Sequence, residues 1–239
     1  MIRLNRFLLL SLGFAAVAAI GVALGMWQLS RANYKLALRH AVEAASKLEP
    51  LKDADFAARL PNAGDTNRRV QLHGRWLPDQ TLYWDNIPMG ERVGFVVVTP
   101  FKLAQGNGLI LVQRGWIPRN FQDRNQLQPI ETPAGDSVIE GVVANWPSQR
   151  ISLGGPEHGP IRQNLPLADF KALLGANLAG VTVRQTGAAS LGMLRDWPQA
   201  DDGVNMHKGY AFQWFSLSAL VAAYYFWFQI VKRKQQTQS

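Results

Sequence analysis

Residues 206–234, MHKGYAFQWFSLSALVAAYYFWFQIVKRK, decide the fold of this chain because they predict a membrane span. The 22 residues Tyr210–Val231 carry no charge, and as a helix they cover about 33 Å, enough to cross a ~30 Å hydrocarbon core. Trp214 near one end and several aromatic residues near the other are placed like interfacial anchors. The basic residues 232–234 follow directly, which disfavours a buried helix of a soluble protein. The stretch raises the question of why a histidine, His207, stands at the edge of a span.

A second apolar run of 23 uncharged residues, FLLLSLGFAAVAAIGVALGMWQL, occupies Phe7–Leu29 and is also long enough to span. The alternative is a cleaved signal peptide with residues 16–18, Ala-Val-Ala, as its cleavage site. Eleven more uncharged residues follow Ala18, which is more than a signal sequence needs. We therefore expect residues 1–31 to form an uncleaved N-terminal anchor with no targeting leader ahead of it.

The formal net charge of +8 is concentrated at the two ends of the chain. Seven of the 25 Lys and Arg residues lie in 1–31 and 207–239, where there is no acidic residue, and the other 18 nearly balance the 17 Asp and Glu. This distribution disfavours nucleic-acid binding, which needs a basic surface on the folded domain. The positive-inside rule places both termini in the cytoplasm. We expect a bacterial inner-membrane protein with residues 32–206 in the periplasm, and with 207–239 as a second span and basic tail.

Between the spans, the hydrophobic period changes from that of helix to that of strand. Residues 32–60 predict helix, interrupted at Pro50 and resumed in DADFAARLP, and LADFKALLG predicts a later helix closed by Gly175. Alternating apolar and polar residues predict six strands. These are RRVQLHGRW (68–76), TLYWDN (81–86), RVGFVVVTPFKL (92–103), LILVQRGWI (109–117), SVIEGVVANW (137–146) and GVTVRQT (180–186). Pro100 should place its strand at a sheet edge or interrupt it.

Short strands joined by tight turns indicate a mainly antiparallel sheet or small barrel. The expected core residues are Val70, Leu72, Val96, Val98, Ile110, Val112, Ile139 and Val142. The predicted fold is thus an α+β membrane protein, in which two transmembrane helices flank a mainly antiparallel β domain with a few helices.

We find no catalytic motif and expect no enzyme. There is no cysteine, no H-E-x-x-H, no G-x-S-x-G and no Walker loop. His40, His73 and His158 form no metal-ligand spacing with one another or with His207, and we expect no role for them. The carboxylate pair of residues 201–202 is explained by a turn, and Asp53 and Asp55 by a helix start.

The informative residues lie where the spans meet the domain. His207, Tyr210, Ala211 and Trp214 follow the i, i+3, i+4, i+7 spacing of one helix face. Gly25 and Ala211 are small enough for two helices to approach closely. Gln28 and Gln213 are amides at the boundary, where a polar group needs a partner. From the residues alone, two anchors paired by a hydrogen bond explain this pattern.

Three motifs in order resemble the Surfeit locus protein one family of cytochrome oxidase assembly factors. GMWQLSRANYK (25–35) is similar to that family's G-x-W-Q-x-x-R motif, and HKGYAFQWF (207–215) to its H-x-x-Y-A-x-Q-W-F motif. Between them, VGFVVVTPFKL and LILVQRGWIPRN are similar to its central pattern, which ends in R-G-W-x-P. The resemblance covers nearly the whole chain.

The resemblance implies an assembly factor for a haem–copper terminal oxidase that binds haem a and assists its insertion into the catalytic subunit. It makes His207 the candidate axial ligand of the haem iron, with the macrocycle among Trp27, Tyr210, Phe212 or Trp214. Our own addition is that Arg31 pairs with a propionate, as does Lys208. The implied partners are the oxidase catalytic subunit, the machinery of haem a synthesis and the lipid bilayer. A haem-free scaffold that holds a nascent oxidase subunit is the alternative.

Overall fold

The computed structural model describes residues 2–120, 122–123, 125–149, 159–198 and 203–237, and in 2–7 and 232–237 the description covers the backbone alone. His158 and the carboxylates at 201–202 lie outside the described residues. The elements in chain order are α1 (Ile2–Lys47), α2 (Asp53–Ala58), β1 (Arg69–Trp76), β2 (Leu82–Met89), β3 (Arg92–Leu103), β4 (Leu109–Pro118), β5 (Asp136–Asn145), β6 (Ile161–Arg162), α3 (Leu167–Leu174), β7 (Leu178–Gln185) and α4 (Val204–Thr237). The chain forms two compact units, Met1–His40 with Gln199–Ser239, and Ala41–Pro198.

The first unit consists of α4 and most of α1. α1 continues without a break to Lys47, so the helix predicted from residue 32 is an extension of the N-terminal span. The residues around this junction include neither Gly nor Pro, and the helix ends shortly before Pro50. By length and composition, both helices can cross a membrane. The predicted α+β membrane architecture is confirmed.

The second unit is built around a closed barrel. Its five strands follow the order β1–β5–β7–β4–β3, and β3 pairs with β1 to close the ring. β2 extends from β3 on the outside, and β6 adds two residues to β2. Apart from the parallel pairs β4–β7 and β2–β6, the pairings are antiparallel. The predicted strands and their mainly antiparallel pairing are confirmed, whereas the short β6 was not predicted.

A glycine allows the barrel to close. Gly74 of β1 lies opposite Leu103 of β3. A Cβ atom at position 74 would overlap the Lys102 carbonyl and would lie 2.7 Å from the Phe101 ring. Any larger residue would therefore push β1 away from β3 where these two strands close the barrel.

The prediction that Pro100 would mark an edge or a break is wrong. β3 runs through Pro100 between β4 and β2. On the side facing away from β4, β3 pairs with β2 up to Val98 and with β1 from Phe101. Pro100 lies where one partner replaces the other, so its missing N–H costs no ladder bond, and its carbonyl still accepts from the Leu77 N–H at 3.0 Å.

The core has three clusters, one inside the barrel, one on its outer face under α3, and one that contains Phe95 and Val97 of β3. Predicted core residues inside are Val70, Leu72, Ile110, Val112 and Ile139, and those on the outer face under α3 are Val96 and Val98. Val142 was predicted wrongly, since it is only half-buried and Val143 is buried instead. The reason is the two-residue period of a strand, which puts Ile139, Gly141 and Val143 on one face.

The R-G-W-x-P motif has a structural place in β4. Arg114 is buried, its guanidinium lies 4.8 Å from the centre of the Trp76 ring, and it donates to the Thr132 hydroxyl at 2.7 Å. Burial, followed by the nearby charge of Arg195, lowers the pKa of the Arg114 guanidinium to about 10. The Trp116 indole N–H donates to the Ile87 carbonyl at 2.9 Å. The motif therefore connects β4 to Trp76 of β1, to Thr132 and to Ile87 of β2.

Candidate functional site

α1 and α4 pack against each other along faces that repeat every three and four residues. On α1 the buried or half-buried positions of this seam are Ser11, Phe14, Ala18, Gly21, Gly25, Gln28 and Ala32. On α4 they are His207, Ala211, Trp214, Ser218, Val221, Tyr225 and Phe228. An alternating 3–4 spacing is the heptad pattern of helices that pack side by side over a long distance.

Contacts along the seam show that the two helices are antiparallel. Near the start of α1, the Ser11 hydroxyl lies 2.6 Å from the Tyr225 hydroxyl. Farther along, Gly21 faces Ser218. The seam then continues toward Gln28 as α4 runs back toward its own first turn.

Two glycines bring the helices close together in the middle of the seam. A Cβ atom on Gly21 would overlap the Ser218 hydroxyl, and one on Gly25 would lie 2.6 Å from the Phe215 ring. Ala211 is buried as predicted. Small residues let helix backbones approach in a membrane, where van der Waals packing drives association. Gly25 and Ala211 thus have the predicted packing role, whereas Gly21 was not predicted.

Gln28 and His207 form a hydrogen bond near one end of the seam. The His207 Nδ1 atom lies 2.7 Å from the Gln28 side-chain oxygen, Oε1. An amide oxygen only accepts hydrogen bonds, so Nδ1 carries the proton and donates. The other ring nitrogen, Nε2, then keeps its lone pair, which is the form that binds a metal ion. The partner that the sequence required for Gln28 is therefore His207.

The remaining predicted site residues lie around this bond in different environments. Trp214 is half-buried in the seam, one helical turn beyond Ala211. Trp27 and Tyr210 are 54% and 45% exposed, so they lie outside the seam. Arg31 is exposed too. The structure brings His207 and Trp214 into the α1–α4 seam and leaves the other three on the outer surface of the helix pair.

Phe212 and Lys208 are also exposed on α4. Phe212 is 73% exposed and therefore offers an apolar ring to whatever lies beside the helix pair. Lys208 follows the histidine directly and offers a positive charge at the same end of α4.

The spacing of residues along both helices indicates the contact face beyond the two motifs at 25–35 and 207–215. Small or polar residues recur at 3–4 spacing within α1 from Ser11 to Ala32, with Phe14 as the large member of the series. Ser218 on α4 continues the same spacing from His207. A heptad count along each run would have placed Gly21 and Ser218 on the contact faces of their helices.

The β domain holds other polar pairs with structural roles. The His73 Nδ1 atom lies 2.6 Å from Asp53 Oδ2, and the His73 backbone N–H donates to Asp53 Oδ1 at 2.8 Å. This pair joins the start of α2 to β1. His40 is exposed on α1. Within the part of the chain that the structure describes, no group of three His, Cys, Asp or Glu residues could hold a metal ion.

Comparison with known proteins gives the family. The model of the SURF1 family matches residues 15–219. The chain belongs to the SURF1 family. The matched range includes Gln28, His207 and all the barrel strands.

Relatives in this family come from bacteria and animals. The chain is 27% identical to a SURF1-like protein of Rickettsia conorii over 214 residues, which cover 85% of this chain and 84% of the relative. It is 29% identical to a SURF1-like protein of Drosophila melanogaster, over 91% of this chain and 76% of the relative. It is 26% identical to Surfeit locus protein 1 of Mus musculus, over 91% and 74% respectively. The family resemblance stated from three motifs is therefore confirmed.

Proposed function

We propose that this SURF1-family protein assists the assembly of a cytochrome oxidase of the haem–copper type, by binding haem a and helping its insertion into the catalytic subunit. Family membership supports the assembly role. The observation that carries the haem proposal is the His207–Gln28 hydrogen bond, because it leaves the Nε2 lone pair of His207 available.

The residues around His207 fit a haem as cargo. Haem iron accepts an imidazole nitrogen as an axial ligand. The exposed rings of Trp27 and Tyr210 offer apolar surface for the macrocycle. Trp214 is half-buried in the same seam, two helical turns along α4 from His207.

Two basic residues suit the propionates. Arg31 on α1 and Lys208 on α4 are exposed, as charged groups that pair with carboxylates at a water-accessible site should be. A carrier must release its cargo, so one protein ligand with weak surface contacts suits transfer better than an enclosed pocket. In this proposal the protein itself catalyses no reaction.

The proposed location is the bacterial inner membrane with both termini in the cytoplasm. The basic residues at the two chain ends and the absence of acidic residues there support this orientation. Residues 32–206 then lie in the periplasm, between the anchor of 1–31 and the second span of 207–239. The oxidase catalytic subunit and the machinery of haem a synthesis are the proposed partners.

A haem-free scaffold is the second candidate. The close approach at Gly21 and Gly25 supports direct packing of the two helices. The His207–Gln28 bond is then explained as the polar end of that packing. In this case the exposed rings of the helix pair would contact a nascent oxidase subunit.

A complementation experiment tests the assembly role. Deleting the gene in its host should lower oxidase activity and the haem a content of the membranes without abolishing either, since an assembly factor accelerates a step that still occurs slowly. The wild-type gene and His40→Ala should restore both quantities fully, because His40 is exposed and away from the seam.

The His207→Ala variant distinguishes the two candidates in the same strain. Haem delivery predicts only partial restoration at a normal level of the variant in the membrane. Full restoration by His207→Ala would favour the scaffold. Normal oxidase activity in the deletion strain would contradict both.

A further inference from the structure

We propose that Gln28 is a positioning residue for haem ligation, which holds the His207 imidazole in the Nδ1–H tautomer and so makes Nε2 the ligating atom. The inference rests on the proposed function. It assigns to Gln28 a role toward the iron that acts only through His207.

The hydrogen bond fixes both the tautomer and the orientation of the ring. Nδ1 and the Gln28 oxygen are 2.7 Å apart, which is a short bond for a neutral donor and acceptor. A neutral imidazole has one N–H, so a donor at Nδ1 leaves Nε2 without a proton. The plane of the ring must also contain the direction to Gln28, which limits where Nε2 can point.

The helices make this geometry rigid. Gln28 and His207 are 179 residues apart in sequence and meet only because α1 and α4 pair. Their neighbours in the seam, Ala32 and Ala211, are each 1% exposed. With this close packing beside the bond, neither helix can rotate without losing buried contact.

A ligand histidine explains this pair more fully than helix pairing does. Helix pairing needs only one donor and one acceptor, which many side chains supply. Histidine adds a second ring nitrogen that stays available when the first is bonded. Ligating histidines typically donate their other N–H to a carbonyl or carboxylate oxygen, which fixes the tautomer and makes the ligand more basic.

The experiment uses full-length protein purified without haem and titrated with haem a. Gln28→Leu removes the acceptor and should weaken haem a binding about 10- to 100-fold, with a changed Soret band. Gln28→Glu keeps an acceptor oxygen and should bind like the wild type. Gln213→Leu is the matched control, because Gln213 is exposed on α4, and it should change nothing.

The tautomer is read directly in the haem-free protein. Nitrogen-15 NMR of labelled histidine should show His207 protonated at Nδ1 in the wild type and in Gln28→Glu. In Gln28→Leu that preference should be lost. A bond that only pairs the helices would give the same tautomer, but haem a affinity would not follow that tautomer across Gln28→Leu and Gln28→Glu.

Three results would overturn the inference. The first is a Gln28→Leu variant with wild-type affinity and spectrum. The second is a folded Gln28→Glu variant that binds no better than Gln28→Leu. The third is a wild-type His207 protonated at Nε2. If His207→Ala itself binds haem a normally, the proposed haem site fails instead, so the two failures are distinguishable.

Discussion

The antiparallel α1–α4 seam predicts a specific disulfide. Replacing Gly21 and Ser218 by cysteine should give a chain that cross-links within itself on oxidation. A Cβ atom built on Gly21 lies 3.5 Å from the Ser218 Cβ, within the ~3.5–4.5 Å range of disulfides. The substitution at 218 also replaces the hydroxyl that a Cβ at 21 would overlap. The natural chain has no cysteine, so one intramolecular product is expected.

The size of the effect follows from the loop that the bond closes. The two positions enclose a loop of about 200 residues, and the chain-entropy model gives about 5 kcal/mol of stabilisation for a loop of that length. The oxidised variant should therefore resist denaturation more than its reduced form. The yield of the cross-link is measured on membranes treated with an apolar oxidant, by non-reducing electrophoresis and mass spectrometry.

A neighbouring position gives the control. Ala219 follows Ser218 directly but is exposed on α4, so Gly21→Cys with Ala219→Cys should cross-link poorly. Equal yields from the two pairs would mean that the helices have no fixed register. A product of twice the monomer mass in place of the intramolecular bond would mean that Gly21 faces another copy of the chain.

Three other predictions concern the β domain and the topology. Trp116→Ala should lower the free energy of unfolding by about 3–5 kcal/mol, because the side chain is fully buried and donates to Ile87; a denaturant titration showing under 1 kcal/mol would contradict this. The Arg59 side chain hydrogen-bonds the Asp65 carboxylate and lowers its pKa. That stabilisation is present above the unfolded-state pKa and is lost as the pH falls through the lowered folded-state pKa. Asp65→Asn should therefore make thermal stability fall less steeply below about pH 4; an unchanged pH dependence would mean that Asp65 does not contribute. A phosphatase fused near Gly135 should be active and one fused at Ser239 inactive, and the reverse would invert the proposed topology.

The elements of the fold were predictable from the sequence, but the strand pairs that close the barrel were not. Alternation located the six longer strands because it is a local property of each strand. The β1–β3 and parallel β4–β7 pairings join distant segments, and the local pattern of a strand does not name its partner. Pro100 was misjudged for the same reason, since its place depends on which strand lies beside β3. The two residues of β6 are too few to show a period.

The site was predicted residue by residue but not as an arrangement. His207 and Gln28 were each singled out, yet their hydrogen bond depends on the rotation and register of two helices distant in sequence. Tyr210 was predicted on the same helix face as His207, because the positions three and four residues after His207 both lie near it around the helix. The seam uses the i+4 and i+7 positions, Ala211 and Trp214, and leaves Tyr210 beside it.

The absorption spectrum of the purified protein tests the central claim most directly. Wild-type protein and His207→Ala would be prepared from cells that make haem a, with His40→Ala as the control. The wild type and His40→Ala should carry a Soret band of the same position and intensity, and His207→Ala should insert in the membrane with that band sharply reduced. A His207→Ala protein with full haem content and an unchanged spectrum would contradict ligation by His207.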